Sequence, residues 1–599
     1  MNLLNKFSVN KIAFHCMFIA VIYIVLLIIR IPILINADAF LTVDEGFLAS
    51  DMLDLMNGGP FSLYHENVSY AGIFSTLGVI PFFWAFGISS LTFKLAGILY
   101  YALYIWTFFF LLKRLNQRIA WVSVFLLVLC PPNILSLSTN TYPHILLAAF
   151  ANITFIIFFS NKENPSHLKV FCLTFLMGFS FYIYTYTIIY IVVIIILWIM
   201  DAKISPRNIL QSLKPTSARE YYARFLDVLI LLNVSWIFLS LIAGGVSIKS
   251  GDFIIFNSFM RGITPNYLAL NSGKIYVPFI EFFFAIAILR VVLYREDIII
   301  AMNSIKKSAS TRLLGIGLFG FLIGLTPRWI GLYGNKIFGH PGYEIDLGLS
   351  QMWFKLSDLF FAKLPKMFEL NSYLGMLLSL LIIIAIFNFL RRDKHKLEMI
   401  FVIIPIVLLL ASIIYQKPNS LRHLFPFYGA IVFYLASFLF YVEKKSFYSF
   451  WLTLVFLGGF YSYATYDYYK SQNIMTGLSI LKKDTNYDDL IKYARENKFQ
   501  AVYTGYMAHK LNFLSGGNPL FVEFHSNPFQ GWKRRKKANL TYNNWTVLIP
   551  DEKNLKIYET YIKTKKIDCN RGIIQGYIVL SRCRGNPHAV NKLRFLGQF

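Results

Sequence analysis

The sequence predicts a polytopic α-helical membrane protein that carries a small C-terminal domain of the α/β or α+β type. Its 599 residues are 56% hydrophobic and only 15% charged, with a mean hydropathy of +0.55, which excludes an ordinary soluble protein. Apolar runs of about 20 residues recur along the chain, and each is long enough to cross a hydrocarbon core of about 30 Å. Near residue 470 these runs stop, and short strand-like and helical segments replace them.

About thirteen segments are predicted to span the membrane. The first is expected to be retained rather than cleaved, because it is too long for a signal peptide and lacks a small-residue cleavage site. The stretch 71–89 is rich in Gly and is expected to lie along the membrane interface instead of crossing. The predicted spans are approximately 12–35, 91–112, 119–138, 143–160, 168–184, 186–200, 225–247, 276–294, 313–333, 372–391, 398–415, 423–441 and 447–467.

The distribution of Lys and Arg fixes the predicted orientation. If 71–89 does not cross, the basic loops between the later spans all fall on the side of the N-terminus, which the positive-inside rule makes cytoplasmic. The outer side then holds the loops 36–90, 248–275 and 334–371. This topology predicts an integral membrane protein with a cytoplasmic N-terminus and an extracytoplasmic C-terminal domain. The general character of the chain favours the inner membrane of a bacterium, and the endoplasmic reticulum is the alternative.

Residues 1–469 are therefore predicted as the transmembrane domain and 470–599 as a soluble extracytoplasmic domain. The second part contains 22 Lys and Arg against 9 Asp and Glu, including the run 533–537. For a domain standing on a membrane, this excess favours anionic headgroups or lipid-linked anionic substrates over nucleic acid, and a solvated charged face is the alternative. Cys569 and Cys583 are a candidate disulfide, since the domain is expected in an oxidising compartment.

The longest acidic stretch without a Lys or Arg follows the first span. It occupies 36–54 and holds four Asp and one Glu in a chain of formal net charge +26. Carboxylates beside a bilayer are costly unless they are paired, solvated or used. Asp44 and Glu45 lie among large apolar residues, so a solvated loop is a weaker explanation than a general base that accepts a proton from an attacking hydroxyl.

Other polar residues on the predicted outer side are candidates for binding a substrate. Arg422, at the mouth of the twelfth span, is suited to a phosphate, because a guanidinium holds phosphate oxygens bidentately. Arg328 is a second candidate for the same role. A headgroup-snorkelling Arg, a polar loop and an interfacial aromatic belt are the simpler alternatives for these positions. The remaining candidate substrate contacts are His65, Glu66, His144, His340, Tyr343 and Trp353.

Several motifs together resemble a known family. These are the outer "TVDEGF", the basic turn "LLKRLNQR", the outer "TYPH", the segment "GFLIGLTPRWIGLYGN" and the "RHLFPFY" near the last spans. Over about 12–440, this order is similar to membrane glycosyltransferases of the GT-C superfamily. The bacterial branch related to protein O-mannosyltransferases and lipid A aminoarabinose transferases is the most similar.

The resemblance implies an inverting transferase that moves a hexosyl or pentosyl unit from a polyprenyl-phosphate carrier to a hydroxyl of a glycan, lipid or protein on the outer face. Such activity serves cell-envelope glycans. It implies that Asp44 is the catalytic carboxylate with Glu45 beside it, and that Arg422 lies near the carrier phosphate. His144 stands where many relatives have an acidic residue. Relatives differ in metal dependence, so no cofactor is implied and a divalent metal is left open.

The rival hypotheses are a polysaccharide flippase and a polymerase or ligase of lipid-linked glycans. A flippase is expected to carry charges deep inside several spans, whereas here most charges lie at span ends, with Lys94, Glu281 and Arg290 as exceptions. A ligase is expected to centre on Arg and His in one large outer loop. The chain has no Walker motif, no GxGxxG and no CxxC, which argues against a nucleotide-driven transporter.

Overall fold

The structure is a computed structural model, and it describes most of the chain. The described residues are 9–65, 68, 71–201, 246–250, 253–257, 309–335, 343–346, 349–368, 373–392, 395–414, 421–477, 479–483, 485–504, 507–523, 544–549, 568–574 and 577–584. The predicted span 276–294 and the basic run 533–537 lie outside these residues, as do Glu66 and His340. The predicted span 225–247 also lies outside them, except for its last two residues, which belong to a strand.

Helices dominate the described part of residues 9–471. Among the described residues, four helices are long and apolar enough to cross a membrane, namely Ile12–Ile35, Ser90–Lys113, Pro143–Glu163 and Arg422–Lys445, and six shorter apolar helices accompany them. The predicted class of an integral, polytopic helical membrane protein is confirmed. Up to residue 201, the helices are α1 (Val9–Ile35), α2 (Ala37–Phe40), α3 (Val43–Met56), α4 (Phe74–Leu77), α5 (Ile80–Phe86), α6 (Ser90–Lys113), α7 (Gln117–Val128), α8 (Pro132–Leu137), α9 (Pro143–Glu163), α10 (His167–Ile183) and α11 (Ile188–Asp201).

The described helices resume at residue 309. They are α12 (Ala309–Asn335), α13 (Leu349–Asp358), α14 (Leu364–Phe368), α15 (Tyr373–Arg391), α16 (Ile400–Ile414), α17 (Phe425–Lys445), α18 (Phe447–Ser471), α19 (Asn486–Glu496) and α20 (Ala508–Leu514). Short 3₁₀ turns at Thr185–Thr187, Lys396–Met399 and Leu421–Leu424 lead into α11, α16 and α17.

Two predicted segments are broken in the structure. The predicted span 119–138 is not one helix, because α7 ends at Val128 and α8 begins at Pro132. Pro131 and Pro132 explain the break, since a proline lacks the N–H that continues a helix and restricts the residue before it. The stretch 71–89 forms only the short helices α4 and α5, each followed by a glycine, Gly78 and Gly87.

The predicted outer loops 248–275 and 334–371 contain regular structure. Strands β1 (Val246–Ser250) and β2 (Phe253–Asn257) are antiparallel, and β3 (Tyr343–Asp346) pairs parallel to β1. This three-stranded sheet joins two regions that the topology predicts on the same side of the membrane. Helices α13 and α14 follow in the second region.

The C-terminal domain contains a five-stranded mixed sheet. Beyond the two-stranded hairpin β4 (Met475–Thr476) and β5 (Ser479–Ile480), its strands are β6 (Ala501–Thr504), β7 (Leu520–Glu523), β8 (Asn544–Ile549), β9 (Asp568–Ile574) and β10 (Tyr577–Arg584), in the order β7-β6-β8-β10-β9. The sequence predicts strand-like segments at 501–504, 545–549 and 576–580, and these correspond to β6, β8 and β10. The predicted small α/β or α+β domain is confirmed as a fold class, whereas its boundary at 470 stays a prediction.

The C-terminal domain packs directly on the transmembrane part through α20 and α3. A Cβ atom added to Gly46 on α3 would lie 2.6 Å from Cα of Lys510 on α20, so glycine allows the two backbones to meet. Ser50 donates a hydrogen bond to the His509 carbonyl at 3.1 Å. Phe513 stacks on Phe83 with ring centroids 6.1 Å apart. The second domain is therefore built against the helix that carries Asp44.

An ion pair between two helix ends marks one end of the helix bundle. Arg118, at the start of α7, pairs with Glu443 near the end of α17 at 2.8 Å. Arg422 lies just before α17, and the 21 residues of this helix place the two ends about 30 Å apart. The pair of Arg422 and Asp44 is therefore at the opposite end of the bundle from the predicted cytoplasmic loops.

Candidate functional site

Asp44 is the second residue of α3, and a capping box fixes this helix end. The Thr42 hydroxyl accepts a hydrogen bond from the Glu45 N–H at 3.2 Å, and the Glu45 carboxylate accepts one from the Thr42 N–H at 2.9 Å. The N-terminal end of a helix favours acidic side chains, because its free N–H groups carry partial positive charge. The local sequence therefore sets the position of Asp44 and leaves its side chain pointing out of the helix end.

The Asp44 carboxylate is paired with Arg422. The Arg422 Nη1 donates to Asp44 Oδ2 at 2.8 Å, and the two side chains are 32% and 39% exposed. The Arg422 guanidinium also lies over the Tyr142 ring, 5.1 Å from its centre. Both charges thus stay accessible from outside while an aromatic ring fixes the cation. Two candidates from distant parts of the sequence meet in this pair.

Glu45 is a buried structural residue. Lys94, on α6, donates to both Glu45 carboxylate oxygens at 2.7 and 2.8 Å, and also to the Asn140 side-chain oxygen at 2.8 Å. Neither side chain of the pair is more than 1% exposed. Both carboxylate oxygens already accept hydrogen bonds, and the Glu45 side chain is fully buried, so it is not exposed to an acceptor. The two neighbouring acids have different environments.

Tyr142 connects the helix end to the arginine. Its hydroxyl lies 2.7 Å from the Thr42 hydroxyl, while its ring supports Arg422. Burial, followed by the charges of Glu45 and Asp44, raises the pKa of Tyr142 well above its usual value. Tyr142 therefore remains a neutral hydroxyl beside the Asp44–Arg422 pair.

An aromatic and histidine cluster lies next to this pair. The His144 ring is 5.1 Å from the His423 ring and 4.7 Å from the Tyr184 ring. His423 Nε2 lies 3.3 Å from the Tyr184 hydroxyl, and the Tyr186 hydroxyl donates to the His423 carbonyl. His144 is buried and, among the described residues, neither of its ring nitrogens has a hydrogen-bond partner. A buried polar group of this kind is uncommon in a finished core and is expected near a ligand.

His65 belongs to a separate buried network. Its Nδ1 lies 2.9 Å from Asp51 Oδ2 and its Nε2 lies 2.9 Å from the Thr76 hydroxyl. With Asp51 ionised, Nδ1 donates and Nε2 accepts, so both ring nitrogens are satisfied. His65 therefore ties α3 to α4, and the geometry gives it a structural task.

Arg328 contacts two aromatic residues that are not part of the Asp44–Arg422 pair. Its Nη1 donates to the Tyr64 hydroxyl at 3.3 Å, and its guanidinium lies 5.2 Å from the centre of the Phe181 ring. Burial raises the pKa of Tyr64 to about 12, and Arg328 opposes this rise. The proposed phosphate contact of Arg328 stays a prediction.

The remaining candidates are not brought to Asp44 by the described structure. Trp353 lies on α13, and the residue is 69% exposed. Tyr343 is the first residue of β3. Cys569 is disulfide-bonded, and the register of β9 and β10 sets it opposite the part of β10 that contains Cys583. Within the described ranges, no three His, Cys, Asp or Glu side chains converge as a metal site requires, and metal dependence stays open.

Sequence reasoning did not assign a role to three residues of this region. Lys94 was noticeable as a charge inside a span, which marks a functional or paired group. Tyr142 stood in the "TYPH" motif beside the named His144. Lys510 had no local signal, because only the packing of α20 on α3 brings it near Glu45.

No protein-family model matches the chain, and no curated protein matches it. The solved structures that are similar include two crystal structures of ArnT from Cupriavidus metallidurans, one bound to undecaprenyl phosphate and one in the apo state. The first is 12% identical with a TM-score of 0.38 and covers 95% of this chain and 98% of its own. The second is 13% identical with a TM-score of 0.35 and covers 96% and 98%. TM-scores below 0.5 do not establish a shared fold, and the proposals below rest on this chain's own residues.

Proposed function

We propose that this protein is an integral-membrane glycosyltransferase that moves a sugar from a polyprenyl-phosphate carrier to an acceptor hydroxyl on the outer face, with inversion. The pair of Asp44 and Arg422 carries the proposal, because it places an accessible carboxylate and an accessible guanidinium 2.8 Å apart at the predicted outer end of the bundle. Transfer from a sugar phosphate requires a base for the acceptor and a cation for the departing phosphate.

Asp44 acts as the general base in this proposal. The acceptor hydroxyl gives its proton to the Asp44 carboxylate, and its oxygen attacks the anomeric carbon from the face opposite the phosphate. The bond between the anomeric carbon and the phosphate oxygen breaks, and its electron pair leaves with the polyprenyl phosphate. Glu45 positions Asp44 through the capping box and its contact with Lys94.

Arg422 stabilises the charge that develops on the departing phosphate. A guanidinium offers several N–H donors, so it can hold Asp44 with one edge and a phosphate oxygen with another. Tyr142 supports its plane. The donor is a phosphate diester, and the polyprenyl phosphate that leaves is a monoester and a weak base. The step therefore needs no strong acid. His144 and His423 are the neighbouring polar groups available to the sugar or the phosphate.

An apolar cavity at the start of α17 supports a lipid-linked donor. The cavity has a volume of about 120 Å³ and is lined almost entirely by apolar side chains of α14, α16 and α17 and of the turns that precede α14 and α17. Leu424, two residues after Arg422, forms part of its wall. A prenyl chain is a suitable occupant, because it would run from the hydrocarbon region to a phosphate held at Arg422.

The proposal is tested by incubating membranes that contain the protein with a polyprenyl-phosphate sugar and following the release of polyprenyl phosphate. Asp44→Asn should reduce the release by a factor of about 100 or more, since it removes the base and keeps the volume. Asp54→Asn is the matched control, because Asp54 is exposed near the end of the same helix. Full activity in Asp44→Asn would contradict the assignment, and movement of intact carrier across the membrane without release would favour a flippase.

A further inference from the structure

A second cavity lies between the start of α3 and the C-terminal domain, with a volume of about 400 Å³. Its walls come from 39–43, from the end of α18 and from the C-terminal domain. Thr42 and Val43, the residues immediately before Asp44, are part of the lining. The cavity therefore adjoins the helix turn that carries the proposed base, on the side of the C-terminal domain.

Lys510 is the central charge of this cavity. The residue is only 3% exposed, and its Nζ has a 3.4 Å contact with the Ala39 carbonyl and lies 4.2 Å from the centre of the Tyr487 ring. Among the described residues, no carboxylate oxygen lies within ion-pair distance of this ammonium group. A desolvated ammonium without a paired anion is costly, and an anionic ligand would remove that cost.

The charges of the described residues around Lys510 sum to a net positive value. Among these residues, Lys94, Lys483, Glu45 and Asp38 are the charged groups that act on Lys510. Glu45 is neutralised by its direct contact with Lys94, so Asp38 remains against Lys483 and Lys510. Burial, with Lys94 adding to it, lowers the pKa of Lys510 to about 8, so the group is mostly cationic at neutral pH.

Lys483 is held at the open side of the cavity. Its backbone N–H donates to the Asn36 side-chain oxygen at 2.5 Å, and the Asn36 amide donates to the Leu481 carbonyl at 2.9 Å. These bonds fasten the segment that carries Lys483 to the end of α1. The exposed Lys483 side chain can therefore reach a ligand that also contacts Lys510.

Aromatic rings complete the lining. Phe40, Tyr468 and Tyr487 contribute to the walls, and Gln472 adds an amide. Flat rings with a few convergent polar groups suit a ligand that has an apolar face and a polar edge. A sugar ring has this character. The ammonium groups of Lys510 and Lys483 favour a sugar that carries an anionic substituent.

We propose that this cavity binds an acidic saccharide unit, whose phosphate or carboxylate is held by Lys510 and Lys483 while the aromatic rings cover the sugar. The proposal rests on the proposed function in one respect, namely that the bound unit belongs to the acceptor whose hydroxyl reaches Asp44. The binding itself does not depend on transfer.

Occupancy is tested on the full-length protein in phosphatidylcholine nanodiscs. Pyridoxal 5′-phosphate condenses with a lysine amine with loss of water, borohydride reduces the imine, and mass spectrometry locates the label. We expect labelling at Lys510, with glucose 6-phosphate and glucuronate protecting it about tenfold better than glucose. Equal protection by glucose, or no labelling of Lys510, overturns the proposal. Without added sugar, weaker labelling of Lys510 in phosphatidylglycerol nanodiscs than in phosphatidylcholine nanodiscs also overturns it, because an anionic lipid headgroup would then be the occupant.

Two variants keep the test independent of folding. Lys510→Met keeps most of the side-chain volume, and Lys483→Gln changes an exposed side chain. By calorimetric titration, each should weaken binding of glucose 6-phosphate about tenfold, whereas Lys482→Gln, an exposed neighbour outside the lining, should not. Unchanged affinity in both variants overturns the proposal. Because this assay uses no donor, its failure leaves the Asp44→Asn result untouched, and the reverse also holds.

Discussion

The Asp44 carboxylate accepts a hydrogen bond from the Arg422 guanidinium at 2.8 Å, although 378 positions separate the two residues. Asp44 is held by the capping box of α3, and Arg422 by the turn that leads into α17 and by the Tyr142 ring. Neither element contains the other half of the pair. The proposed chemistry therefore depends on how α3, which follows the first span, packs against the start of α17.

Arg422 is predicted to be needed for transfer and not for folding. Arg422→Gln should lower the release of polyprenyl phosphate by about 100-fold or more, because the departing phosphate loses its cation. Arg422→Lys should recover part of the activity, since an ammonium restores the charge without the fork of donors. Arg118→Gln, at the other end of the bundle, is the control. Equal activity in Arg422→Gln and the unmodified protein would remove Arg422 from the mechanism.

Glu45 is predicted to contribute to stability in a way that Asp44 does not. Glu45→Gln leaves the buried Lys94 ammonium without its counter-charge, which should cost about 3–5 kcal/mol of stability, measured by thermal unfolding in detergent. Asp44→Asn affects a partly exposed pair and should leave the unfolding temperature nearly unchanged. The double variant Glu45→Gln with Lys94→Met should recover part of the loss. If Glu45→Gln unfolds like the unmodified protein, the buried pair is not structural.

Gly46 is predicted to hold the C-terminal domain against α3. In Gly46→Ala the new methyl group would lie 2.6 Å from Cα of Lys510, so α20 must move and about 1–3 kcal/mol of stability should be lost. Limited proteolysis should then release the C-terminal domain faster. Gly459→Ala on α18 is the matched control, because its added methyl group meets no atom within 4 Å. Equal cleavage rates in the two variants would contradict the close packing.

Lys510 is predicted to titrate near pH 8. The folded protein lowers the pKa of this ammonium from 10.5, so the amine becomes neutral and reactive as the pH rises through about 8. Acetylation followed by mass spectrometry should show a midpoint there, with labelling of the exposed Lys492 as the correction for loss of reagent. Since the folded state disfavours the protonated form, Lys510 makes folding less favourable below this pH and stops doing so as the pH rises through 8 towards 10.5. A midpoint above 10 would show that Lys510 is solvated.

Local sequence patterns predicted the strongest elements of the fold. The spans 91–112 and 143–160 correspond to α6 and α9, and Ala501–Thr504 corresponds to β6. The prediction of one continuous helix over 119–138 was wrong, because average hydropathy does not register the break at Pro131 and Pro132. Asp44 was also accessible from the sequence, because an acidic run without basic residues beside a membrane span is conspicuous.

The sequence by itself determined the class of the protein, the predicted sides of the membrane and the position of Asp44, since hydropathy, charge asymmetry and helix capping are local properties. Only the tertiary structure decided that Glu45 is buried on Lys94, that Asp44 meets Arg422, and that Lys510 reaches the start of α3. These contacts join residues far apart in the chain. They depend on the packing of whole helices, which no single segment specifies.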